Sequence, residues 1–158
     1  MSKLLVQGVV AAAIAVVTSV GFAAQEARTL SVTATIPGTC VLTTSGPMAF
    51  GTLDVSATTN ETHTVTATYK CATGLTVSSF TVAGAAAGPF VGAMVGLTPG
   101  NTDTVPYSIT WTAPDPYLGE GFNVVGKQVV LTGTIQNADY ISKKPDSYSH
   151  SVVLAINY

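Results

Sequence analysis

From residue 24 onward no segment spaces its apolar residues three and four apart, as an amphipathic helix does. Strict alternation recurs instead. In Thr29–Ile36, Leu30, Val32, Ala34 and Ile36 alternate with Ser31, Thr33 and Thr35. Successive strand side chains point to opposite faces, so this spacing predicts a half-buried β-strand. The same signal returns at 61–71 (ETHTVTATYKC), 75–84 (LTVSSFTVAG), 105–111 (VPYSITW), 128–135 (QVVLTGTI) and 148–158 (YSHSVVLAINY). CVLTT (40–44) and MAFGTLDV (48–55) add strand-like stretches on either side of a Ser-Gly-Pro turn. AAAGPFVGAMVGLTPG (85–100) is broken by glycine and reads as a weak strand or a loop. NADYISKKPDS (137–147) reads as a polar connection. Many short strands divided by Gly, Pro, Asn and Asp predict an all-β sandwich.

Composition agrees. Only 9% of the residues are charged, and the formal net charge is −2. Ordinary domains carry about 25% charged residues, and helix-rich ones draw heavily on Leu, Glu, Lys and Arg. No basic patch is present, which argues against nucleic acid as a partner. The 158 residues suffice for one domain with a real core.

Residues 1–23 have the form of a secretory signal: Lys3, a long apolar run, and small residues closing at Ala23. A membrane anchor is the competing reading, because the run approaches spanning length. Cleavage after Ala23 removes one of six cations and leaves five Lys and Arg against eight Asp and Glu, a net −3. No stable membrane insertion is expected once that segment is gone. Export also places Cys40 and Cys71, the two cysteines of the chain, in an oxidising compartment. There a disulfide is the expected state. A metal pair lacks the usual zinc spacing, and a catalytic thiol needs a base nearby.

Catalytic signals are missing. No nucleophile elbow, zinc-protease, phosphate-loop or calcium-loop pattern occurs. His63 is expected to meet solvent, and His150 to lie at the start of the last strand. No enzyme activity, cofactor or metal is expected. Asn60-Glu61-Thr62 matches a glycosylation sequon, a short pattern that also arises by chance. Tyr107, Trp111, Tyr117 and Phe122 are candidates for a sugar-binding platform, with core packing as the plainer reading.

The order of motifs resembles one family. An exported strand ends in Pro37-Gly38-Thr39-Cys40. Phe50-Gly51, Tyr69-Lys70-Cys71, PYSITW and LTGTI follow, and SYSHSVVLAINY comes last. This pattern is similar to the spore coat protein U family, the pilin subunits of archaic chaperone–usher pili. The resemblance implies an incomplete immunoglobulin-like β-sandwich lacking its final strand, with an N-terminal donor strand. The expected organisation is a signal peptide at 1–23, a donor-strand extension at 24–37 and a pilin domain at 38–158. Leu30, Val32, Ala34 and Ile36 would fill a neighbouring subunit's groove. The groove walls would include Val152, Leu154 and Ile156, or the opposite face, Val153 and Ala155. Implied partners are identical or related pilin subunits in a head-to-tail polymer, a periplasmic chaperone and an outer-membrane usher. The implied location is a cell-surface pilus serving adhesion or biofilm formation. A glycan-binding adhesin domain and a spore or envelope coat protein are the alternatives.

Overall fold

The computed structural model describes residues 26–112 and 116–158. Residues 1–23, expected as a signal, and Ala24 and Gln25 of the expected extension lie outside them. The chain divides into two units, Met1–Thr35 and Ile36–Tyr158.

The larger unit is built on a six-stranded antiparallel sheet. Its strands are β1 (Cys40–Thr44), β2 (Glu61–Cys71), β5 (Phe90–Gly96), β6 (Thr104–Trp111), β8 (Lys127–Ile135) and β9 (Tyr148–Ser149), in the order β1-β2-β8-β6-β5-β9. Facing it are two short ribbons. One pairs β4 (Ser79–Val82) with β10 (Leu154–Asn157), and the other pairs β3 (Thr76–Val77) with β7 (Tyr117–Leu118). One helical turn, α1 (Asn137–Tyr140), follows β8.

Alternation on each strand decides which side chains enter the core. On β2, Val65, Ala67, Tyr69 and Cys71 are buried, while Thr62, Thr64, Thr66 and Thr68 point away. β8 contributes Val129, Leu131 and Ile135, and β6 contributes Val105, Tyr107 and Ile109. From the opposing layer come Phe80 and Val82 of β4, Val77 of β3, and Tyr140 of α1. Full burial of a side chain such as Phe80 or Leu131 contributes about 1.5–3 kcal/mol. Threonine on the outer face explains the low charge: a β-branched side chain suits a pleated surface without needing an ionic group.

Several strand boundaries differ from the sequence expectation. The 75–84 stretch is two strands, because Ser78 breaks it and its halves join different ribbons. The glycine-broken 85–100 stretch contains a full strand, β5, ladder-paired with β6 from Phe90 to Val95. MAFGTLDV forms no strand. It lies instead over the inner face of the large sheet, where Gly133 leaves it room. A Cβ at Gly133 would clash with Met48 Sδ and stand 2.8 Å from Phe50 Cζ. The 148–158 stretch is β9 and β10, one in each layer. The polar connection at 137–147 begins with α1. His63 does not face solvent freely. It shares the inward parity of Val65, is half-buried, and meets the Phe50 ring edge-on at 6.5 Å.

In the smaller unit, residues 26–35 form no strand, although the alternation predicts one. Leu30 is 85% exposed and Val32 84%, and Ala34 is exposed too. A strand exists by virtue of a ladder partner, and this segment has none among the described residues. Ile36, the first residue of the larger unit, is 89% exposed.

Candidate functional site: two free edges and the gap between them

β1 and β10 are the two strands that leave an edge unpaired beside each other. β1 pairs with β2, and β10 pairs with β4; neither has a second ladder partner among the described residues. Their Cα atoms approach within 8 Å.

In an antiparallel ladder, residues alternate between bonding their partner and turning their N–H and C=O away. On the β1 side, Ser45 N–H donates to Thr66 C=O and Ala72 N–H to Thr39 C=O, both at 2.9 Å. Val41 and Thr43 therefore bond to β2, whereas Cys40, Leu42 and Thr44 turn their backbone groups to the free edge. On the β10 side, Ala83 N–H donates to Val153 C=O at 2.8 Å. Val153 and Ala155 thus bond to β4, and Leu154 and Ile156 turn outward. An unpaired row of donors and acceptors is a template for another strand.

Side chains on these edges face the core. Leu42, Val152, Leu154 and Ile156 are half-buried and pack on the apolar cluster, while Val153 is 71% exposed. Of the two faces that the sequence left open, the even-numbered residues are the inward set. Beside the two strands lies a cleft of about 700 Å³. Its walls are Met48–Leu53, which follow β1, and Lys143–His150, which precede β10.

Polar contacts fix the second wall. Asp146 accepts from the Asn101 side-chain amide at 2.6 Å, Thr98 N–H at 3.0 Å, the Thr98 hydroxyl at 2.8 Å and Ser147 N–H at 2.8 Å. These bonds, the Asn101 amide foremost, hold its carboxyl at a pKa of about 2, below the usual 3.8. The Tyr148 hydroxyl donates to Lys144 C=O at 2.8 Å. His150 Nδ1 lies 2.6 Å from the Tyr107 hydroxyl, whose pKa burial raises. β1 is tied covalently to β2. Cys40 and Cys71 form a disulfide with S–S 2.02 Å and Cα–Cα 4.1 Å. They occupy a pair that exchanges no backbone hydrogen bonds, the position where facing Cα atoms come closest.

The aromatic platform does not assemble. Tyr107 is buried among Phe50, Phe90 and His150. Tyr117 meets the buried Tyr69 edge-on at 5.9 Å. Trp111 covers Gly88, where a Cβ would stand 2.8 Å from the indole ring. Asn60 of the sequon uses its side-chain oxygen to accept Asn137 N–H at 3.0 Å, at the start of α1. Among the described residues no three His, Cys, Asp or Glu side chains converge on one point. None of the described helices is long and apolar enough to cross a membrane.

The family model described as the Spore Coat Protein U domain matches residues 26–139. The chain belongs to the Spore Coat Protein U family. That family fits chaperone–usher pilus subunits in general. The matched range starts in the exposed N-terminal segment and stops within α1, so β9, β10 and the SYSHSVVLAINY ending lie beyond it. No curated protein and no solved structure matches the chain. Sequence reasoning had passed over Leu42, Met48, Phe50 and Asp146 as members of the site. A signal for Leu42 existed: pairing Cys40 with Cys71 sets Leu42 opposite Tyr69.

Proposed function

We propose that this Spore Coat Protein U protein is a structural subunit of a chaperone–usher surface pilus and polymerises by donor-strand exchange, in the service of adhesion or biofilm formation. The role is architectural and not catalytic. One observation carries the reading: two neighbouring edges, lined by half-buried apolar side chains, each have no second ladder partner among the described residues, and residues 29–36 carry a strand's pattern without a ladder. In the proposed polymer the two edges part, and Leu30, Val32, Ala34 and Ile36 of one subunit enter between β1 and β10 of the next. Backbone groups of Leu42, Leu154 and Ile156 bond the incoming strand, as in other strand additions. Three larger side chains at about 1.5–3 kcal/mol each give several kcal/mol before ordering costs. Before assembly a periplasmic chaperone covers the same gap, and an outer-membrane usher passes the subunit to the surface. The division into a signal at 1–23, an extension at 24–37 and a pilin domain at 38–158 belongs to this proposal.

Removing residues 24–36 tests it. The truncated protein, given the strand as a peptide in trans, should stay folded and form no polymer by electron microscopy. Polymers of normal length from that variant would overturn the reading. The family description favours one other role, a structural protein of a spore or envelope coat. Immunogold labelling decides between them, with fibres supporting the pilus and a continuous coat layer supporting the alternative.

A further inference from the structure

The disulfide sits where tension would enter the domain. Cys40 and Cys71 are the first register pair of the β1–β2 ladder, and Pro37-Gly38-Thr39 leads into it directly. β1 is five residues long, has one ladder neighbour, and forms one wall of the gap. β2 is eleven residues long and lies inside the sheet, with nine residues in register with β8. We propose that the Cys40–Cys71 bridge is a tension clamp: pull arriving along the N-terminal segment crosses at Cys40 into β2 and does not peel β1 from its leading end. The inference rests on the donor-strand reading, because only a segment held by a neighbouring copy carries tension.

Consider the same pull with the bridge reduced. Force at Thr39 acts on the end of a short edge strand, and its hydrogen bonds load one at a time. Each is weak on its own, so β1 peels. Peeling removes Leu42 and its backbone groups from the wall that holds the other neighbour's strand. Strain at one junction then weakens the next. With the bridge closed, the loop from Cys40 to Cys71 cannot pay out chain, and the load spreads over the β2–β8 ladder. Cys71 is fully buried and Cys40 half-buried, which limits access of reductant to the bond.

The test is single-molecule stretching of polymers assembled from the full oxidised chain, before and after reduction in place with a phosphine reductant. Reduction should add an extension step as β1 and the chain up to Glu61 pay out. That is about 20 residues, or ~70 Å at about 3.3–3.6 Å per residue. Fibre lifetime at constant load should fall at least tenfold. Circular dichroism at zero load should show the reduced subunits still folded. Identical traces before and after reduction overturn the clamp and leave the pilus reading standing. Unfolding at zero load also overturns it, because the bridge is then a plain stability staple. Failure of the oxidised chain to polymerise overturns both. The Cys40→Ser, Cys71→Ser double variant repeats the measurement without reductant. If it does not fold, reduction of fibres already assembled remains decisive.

Discussion

Residues 29–36 and 152–157 carry nearly the same message. In both, apolar side chains recur at every second position: Leu30, Val32, Ala34 and Ile36 in one, Val152, Leu154 and Ile156 in the other. Their outcomes are opposite. The C-terminal stretch pairs with β4 and turns its even-numbered side chains onto Phe80, Val82 and the rest of the core. The N-terminal stretch forms no strand, and Leu30, Val32 and Ile36 are almost fully exposed. Alternation encodes a two-faced strand; it does not say which molecule supplies the other face.

The two segments should therefore respond oppositely to the same change, and that contrast gives the first two tests. Deletion of residues 24–36 should abolish polymerisation while leaving the domain's thermal midpoint, in the presence of the trans peptide, unchanged within error. Val32→Asp should reproduce most of that loss, again without moving the midpoint. Ile156→Asp should lower the midpoint as well, because it places a charge against the apolar core at a cost of several kcal/mol. Equal destabilisation by the two substitutions would erase the distinction drawn between the segments.

Phe80→Ala removes the side chain that the C-terminal segment covers. The loss should be about 3–5 kcal/mol in chemical denaturation. Acid gives a smaller and graded effect. Asp146 has a folded-state pKa of about 2 against an ordinary 3.8, so its contribution is present above pH 3.8 and is lost as pH falls towards 2. Asp54, lowered by its bonds to the Ser56 hydroxyl and N–H, acts in the same direction. Asp146→Asn should flatten the acid limb of a stability–pH curve below about pH 4 and leave its neutral plateau nearly level. The smallest effect is expected at Arg28, whose ion pair with Glu26 is exposed at both partners. Arg28→Ala should change the thermal midpoint by no more than the equivalent of ~0.5 kcal/mol.

Much of the fold was legible because strand alternation is local. Alternation at 61–71 sets Val65, Ala67, Tyr69 and Cys71 on one face, and at 105–111 it sets Tyr107 and Ile109 on one; these are buried faces of β2 and β6. The expected pairing of the two cysteines is the observed disulfide. The misreadings share a cause. MAFGTLDV has strand-like residues but lies across a sheet face, and its place depends on the space above Gly133, some 80 residues away. Position 75–84 changes ribbon at Ser78, and 148–158 changes layer between Ser149 and Leu154, because each layer needs its own partner. Local periodicity carries no record of where a partner lies. Asp146 was invisible as an anchor for the same reason: its donors, Thr98 and Asn101, come from the β5–β6 connection.

By itself the sequence determined the secondary-structure class, the shared face of the core residues on β2 and β6, and the existence of the two alternating segments at 29–36 and 152–156. All of these follow from side-chain spacing within a few residues. Tertiary structure alone decided that β1 and β10 lie beside each other with their outer edges free, and that Leu154 and Ile156, not Val153, face inward. Those facts depend on which strands meet across the sandwich, and hydrogen bonds between distant residues set that pairing.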